Sequence, residues 1–542
     1  MGAQEEDLAG DNLEFVDLSG RNVETVPIFL YKHAHEIRSL NLSKNRPFDL
    51  PTDFVQLCTS LRELVLSHMG IKRLPQAIRE CENLTRLDIS SNNIVDLEHI
   101  GLDELSDLSS LKCHNNRLST VPEYFQNFRH LKYLNLSNNR FDLIPTTVCE
   151  IKPLLELDIS FNTATSVPPE IAKLKNLERL ILLANLITTL PLSLSELFSL
   201  KELDCRRNAI TDLAPIAGIA SLEVLRCEHN QASILDATWN NMRVLTAKHN
   251  SLTRFSLAGT GTTLTTLNLS YGKLSTLSAD LFANLGSLET LILDSNTLRV
   301  LPETLGSLTN LVNFSIKNNL LTHLPESVGQ LQRLATLQVS GNNLHDLPPQ
   351  IWLCAQLVSL NASSNLIKDF PDPPLATAAS SAPLASPQDL DTEINEVLDV
   401  RKLSATKPPA TPVGRMAPPM ALTLQHLFLG DNQFGDDVFA PISIMTELRV
   451  LNLSFNDIYE IPTGSLFKCQ QLEELYLSGN KITSLPPDDL ERLVNLRLIY
   501  LNGNKLQTLP AELGKIKKLF ALDVGSNVLK YNIANWPYDW NW

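Results

Sequence analysis

Only eight cysteines occur in 542 residues, spread singly from Cys58 to Cys469. The cysteine clusters that close the ends of many secreted repeat proteins are missing, so no disulfide framework organises the chain. Seven of the eight, Cys58, Cys81, Cys113, Cys205, Cys227, Cys354 and Cys469, stand where the local pattern wants a buried aliphatic residue, and only Cys149 is out of register. They read as small core fillers kept reduced. No apolar run approaches the ~20 residues of a membrane-spanning helix, and no secretory signal opens the chain. The chain therefore reads as intracellular. Positive charge is in deficit too: the net charge of −15 and a pI near 5.3 exclude a general nucleic-acid-binding surface. A local basic patch remains compatible with an acidic whole.

Catalytic signatures are equally scarce. There is no phosphate-cradling loop and no HExxH pair, and the GTGTTL stretch at Gly259 lacks the last glycine of a dinucleotide fingerprint. His33-Ala-His35-Glu36 is the one spacing that suits a metal, but it falls in a convex segment and reads as ordinary polar residues facing solvent. The expectation is a chain with no catalytic site, no metal and no cofactor.

What is present is one pattern, L-x-x-L-x-L-x-x-N-x-L, repeated twenty-one times with its Asn slot running from Arg21 to Asn527. Most steps are 23 or 24 residues, and many copies continue with Leu-Pro, as at Leu301 and Pro302. This is the period of leucine-rich repeats. In each copy the x-L-x-L-x core predicts a short strand whose leucines point inward while the intervening residues face out. The Asn amide, replaced only at Arg21, Met69 and Gly272, can satisfy backbone groups at the turn that leaves the sheet. Proline removes a donor and fixes φ, so the other side of each repeat should be extended or 3₁₀ and not fully helical. The predicted fold is an α/β solenoid, a leucine-rich-repeat horseshoe with a parallel concave β-sheet and an irregular or 3₁₀ convex side.

Two interruptions set the domain plan. Between Asn365 and Asn432 the step grows to 67 residues, and the excess is rich in Pro, Ala, Ser and Thr, a composition that cannot bury much apolar surface. The plan is then a tail at 1–12, sixteen repeats over 13–371, a disordered insertion at 372–421, five repeats over 422–530 and an aromatic segment at 531–542, truncated from something longer. The second interruption is a run of short steps, 22, 20 and 22 residues, from Asn208 to Gly272, without Leu-Pro. Shorter convex segments there should flatten the arc. Inside the insertion, Arg401-Lys402 shortly before Ser404 suits a basophilic kinase, so Ser404 is a candidate phosphorylation site.

The Leu-Pro repeats resemble the intracellular Ras-associated class. More narrowly, IFLYKHAHEIRSLNLSKN, beginning at Ile28, and LDVGSNVLKYNIANWPYDWNW, ending at Trp542, resemble the repeat region of fungal adenylate cyclases. The specific part is the aromatic motif from Tyr531 to Trp542. That family places a Ras-association domain before the repeats, and a phosphatase-like domain and the class III cyclase domain after them. The resemblance implies a non-catalytic array that receives a GTP-bound small GTPase of the Ras type and controls cAMP synthesis by other domains of the parent cyclase. It also implies a cytoplasmic location, peripheral at the membrane through Ras. The alternatives are a stand-alone Ras-associated scaffold or the repeat region of a repeat-plus-phosphatase signalling protein.

One stretch departs from the consensus. Two residues before the Asn slot, eleven of the twenty-one copies carry Ser, but LKELDCRRNAITDL places Arg206 and Arg207 at and after that position. Neighbouring copies add Arg179, Arg226, His229, Lys248 and His249, interleaved with Asp158, Glu202, Asp204 and Glu228. If these side chains share the concave face, they form a basic stripe facing the acidic effector loop that the resemblance brings. Charge complementarity of that kind steers encounter and fixes specificity.

Overall fold

In the computed structural model, residues 13–258, 263–374 and 417–530 are described. The tail 1–12, most of the insertion including Ser404, and the segment 531–542 lie outside them.

Each repeat contributes one three-residue strand, and consecutive strands pair in parallel into a single 21-stranded sheet. The register is uniform: Leu203 of Glu202–Asp204 lies between Leu180 and Leu225, and Leu225 faces Leu245. The central residue of nearly every strand is buried and its two neighbours are half-exposed, so the leucines make one continuous core running the length of the array. Sixteen repeats run without a break into the last five, because Ser359–Asn361 pairs directly with His426–Phe428 across the insertion.

The Asn slot staples successive repeats. Asn319 donates from Nδ2 to the carbonyls of Leu293, Ile316 and Lys317 at 3.0, 3.3 and 3.1 Å, and its Oδ1 accepts from the Leu298 amide at 3.0 Å. One buried amide thus satisfies backbone groups in two repeats at once. Immediately before the slot the chain turns left-handed. Seventeen non-glycine residues there, Arg207, His229 and His249 among them, have φ between 53° and 58°. That conformation costs an L-residue about 1–2 kcal/mol, offset here because the amides of all of them but Ser526, in the last repeat, donate to the next repeat, as Arg207 does to the Glu228 carbonyl at 2.9 Å.

On the convex side, prolines stand just before short 3₁₀ turns. Pro302 precedes Glu303–Ser307 and Pro325 precedes Glu326–Gln330, while α-helical pieces such as Ile28–His33 and Ala214–Ala217 are no longer than six residues. The short repeats do something different. After Asn230 and Asn250 the convex segments become Ile234–Ala237 and Arg254–Leu257, which pair in parallel as a second, two-stranded sheet. Without proline to fix φ, the alternating Ile-Leu-Asp-Ala segment buries Leu235 and Ala237 and exposes Ile234. All eight cysteines are free and buried, including the out-of-register Cys149 in the turn Val148–Glu150. Burial pushes the Cys58 and Cys354 thiols up to about 12, so neither offers a thiolate near neutral pH.

Candidate functional site: the concave face and its rim

The strand register brings the singled-out residues together in two rows. Arg179, Arg206, Arg226 and Lys248 lie on the concave face, while Arg207, His229 and His249 occupy the left-handed turn at its rim.

The concave row is a ladder of ion pairs. Arg179 on the strand Arg179–Ile181 bridges Glu156 at 3.0 Å on one neighbouring strand and Glu202 at 3.1 Å on the other. Glu202 also takes Arg226 from the far side. Arg206 folds back onto its own strand: its Nε donates to Asp204 Oδ1 at 2.9 Å, and Glu228 lies 3.9 Å away. Asp204 and Glu228 are only 5% and 7% exposed, so Arg206 serves two buried carboxylates. The Glu228 Oε2 atom has no hydrogen-bond partner among the described residues, which makes Arg206 its principal compensation. The doubled arginine of the sequence thus divides its work: Arg206 neutralises the face, and Arg207 turns outward.

Among the described residues, Arg207 and Lys248 are the two cations of the stripe without an ion pair. Next to Arg207 along the rim, the rings of His229, His249 and Tyr271 stack with centroids 4.3 and 4.1 Å apart. Burial, the His229 ring and the Lys248 ammonium hold His249 below the usual histidine range, so the His249 ring is uncharged near neutral pH. His33 and His35 each approach the Glu36 carboxylate, at 3.5 and 3.6 Å, on the convex side of the first complete repeat. No group of three metal-ligating side chains forms among the described residues.

A second concave region escaped the sequence reading. Between Ser363 and Asn502 a depression of about 400 Å³ is lined mostly by uncharged side chains, Phe455, Tyr476 and Tyr500 among them, with Asp431 the one charged residue of the lining. The signal was present in the columns: Tyr476 and Tyr500 fill the same outward strand position in adjacent repeats.

Comparison with known proteins gives this geometry a lineage. A leucine-rich-repeat family model matches residues 35–94, 82–141, 262–321 and 446–506. An adenylate cyclase of Mycosarcoma maydis is 52% identical over 98% of this chain, and one of Podospora anserina is 39% identical over 99%. The chain is a leucine-rich-repeat array homologous to part of the fungal adenylate cyclases. It spans 22% and 28% of the length of those two relatives. The solenoid shape is shared with YopM from Yersinia enterocolitica, at a TM-score of 0.64 and 21% identity, covering 98% of this chain and 95% of that one. No described helix of the cyclase-related array is long and apolar enough to cross a membrane.

Proposed function

We propose that this array is the partner-receiving segment of an adenylate-cyclase-type protein, binding a GTP-loaded small GTPase of the Ras type and thereby controlling cAMP synthesis by domains elsewhere in the parent. The observation that carries the reading is near-full-length homology to two adenylate cyclases of which this chain is about a quarter. A segment of that kind has surface to offer but no reaction of its own to perform.

Arg207 and Lys248 support the location. They stand two repeats apart beside an internally neutralised ladder, so an approaching acidic loop meets two uncompensated cations and little competing positive charge. The paired arginines contribute rigidity to the platform, since charge-assisted pairs across four strands fix where the free cations stand. Binding by such a surface is steered: association is fast at low salt and slows as the Debye length shrinks from ~10 Å at 0.1 M to ~3 Å at 1 M.

The test is direct binding of the array to a Ras-type GTPase loaded with a non-hydrolysable GTP analogue or with GDP, by surface plasmon resonance. Nucleotide-dependent binding whose association rate falls with salt supports the reading. Equal response to both nucleotide states, or none, removes the GTPase from it.

A further inference from the structure

The depression in the C-terminal repeats inverts the electrostatics of the charged ladder. From the strand Thr336–Gln338 to the strand Ala521–Asp523, no outward strand position holds lysine or arginine, yet Glu474 and Asp523 stand among them. Asp431 lies at the rim of the same face. None of these three carboxylates has an ion pair among the described residues.

The rings beside them are uncovered. Tyr476, Tyr500 and Asp523 follow one another in a single outward column. The two tyrosine rings lie parallel, with centroids 5.3 Å apart and planes within 5°, and the Tyr476 hydroxyl donates to Glu474 at 2.7 Å. Phe455, 63% exposed, follows Asp431 along the rim, over a surface that Gly479 keeps open, since a Cβ there would collide with the phenyl ring. Other exposed rings of these repeats take a cation from their own chain: Arg492 lies 3.5 Å from the Phe467 centroid and Lys481 lies 5.1 Å from that of Tyr459. No such cation covers Phe455, Tyr476 or Tyr500 among the described residues. On the floor, Ser454 is only 8% exposed. At the equivalent position Ser90, Ser160 and Ser270 each donate from the hydroxyl to the side chain two residues earlier at 2.6 Å. At Ser454 only the amide does so, to Asn452 at 2.9 Å, and the hydroxyl lines the depression without a partner among the described residues.

Unpaired carboxylates beside uncovered aromatic faces suit a cation brought by a ligand. A guanidinium matches both at once, because its plane stacks on a ring while its N–H fork meets a carboxylate. Spacing extends the match. Asp431 and Asp523 stand four strands apart, about 19 Å at the usual strand spacing, which six residues of extended chain span at ~3.3 Å each. Residues six apart in an extended chain lie on the same face. We infer that the concave depression between Ser363 and Asn502 docks an extended segment of a partner protein that carries two arginines six residues apart. One guanidinium lies over Phe455 against Asp431, the other over Tyr500 against Asp523, and Ser454 hydrogen-bonds the peptide between them. The net charge of −15 draws such a basic segment in.

The test uses the full chain and a fluorescein-labelled peptide of sequence GRSGSGSRG, read by anisotropy at low salt. Replacing both arginines by citrulline, which keeps their shape without the charge, should weaken binding at least about tenfold. Moving the arginines to three residues apart, on opposite faces of an extended chain, should weaken it about threefold or more. On the protein, Tyr500→Asn and Phe455→Ser should each weaken binding about three- to tenfold. Asn361 and Ser364 hold the same positions in another repeat, so the fold survives, as circular dichroism checks. Asp431→Asn/Asp523→Asn should weaken binding about tenfold, whereas Asp280→Asn/Asp346→Asn, the same loss of charge at exposed positions elsewhere, should change it by less than about twofold. No binding at about 1 mM peptide, equal binding of the citrulline peptide, or equal losses from the two aspartate pairs would overturn the proposal.

Discussion

The middle repeats and the last five share a backbone, yet they present opposite surfaces. Between Glu156 and Lys248 the outward strand positions hold a ladder of carboxylates and arginines. Between Asn452 and Asn502 the corresponding positions hold tyrosines, a serine-lined floor and a single glutamate tied to a phenol. The inward leucine, the Asn staple and the left-handed turn are unchanged from one region to the other. The comparison separates two kinds of constraint: inward positions and the turn fix the fold, while the outward positions contribute almost nothing to it and are free to specify partners. Where one outward position does become structural, as at Arg206, the reason is a buried carboxylate beside it.

That separation can be broken most forcefully in the core. Leu225→Ala in the charged region and Leu451→Ala in the aromatic region both truncate fully buried strand leucines. Each should cost about 2–5 kcal/mol in urea denaturation, and similar amounts. A large inequality would show that the two regions are not built alike. The staple comes next: Asn319→Ala removes an amide with four backbone hydrogen bonds and should cost about 1–3 kcal/mol for the buried groups it strands. The sharper comparison is between adjacent arginines. Arg206→Glu sets a third carboxylate against Asp204 and Glu228 and should destabilise by about 1–3 kcal/mol. Arg207→Glu, at the exposed rim, should stay within about 0.5 kcal/mol. Equal losses would merge the two rows into one.

The smallest effect concerns the rim histidines. Because folding lowers the His249 pKa, the unfolded chain binds more protons just below the ordinary histidine value, and ν_U exceeds ν_N there. Stability contributed by the neutral ring is therefore complete above about pH 6.5 and is lost as pH falls below it. NMR titration should find His249 with a midpoint below that of an unstructured histidine, and His249→Phe should remove the associated slope in stability against pH.

The fold was legible because its information is periodic. One residue in two or three recurs every 23 or 24 positions, and the Leu-Pro pairs name the convex 3₁₀ turns in advance. The second sheet at Ile234–Ala237 and Arg254–Leu257 was missed because missing proline was read only as shortening, although Leu235 and Phe255 alternate with exposed residues as strands require. The charges of the candidate site were equally visible, but their pairing was not. Arg179 meets Glu156 and Glu202, each 23 residues away, and only the strand register shows that these partners leave it no free charge. The division into face and rim was hidden for a related reason, since left-handed φ at Arg207, His229 and His249 comes from hydrogen bonds to the next repeat and not from residue type. Tyr476 and Tyr500 went unread because each looks ordinary alone, and the aromatic depression exists only as a column.

The central claim is that the free cations of the middle repeats, and not the array's charge in general, receive the GTPase. The most direct measurement is the association rate of a GTP-loaded Ras-type GTPase with the Arg207→Glu/Lys248→Glu chain at 0.05 and 0.5 M salt, beside Lys505→Glu as a distant exposed control. Slower association at low salt by about tenfold or more, with a flattened salt dependence and an unaffected control, is the predicted result. Association at the unaltered rate with the same salt dependence would contradict it.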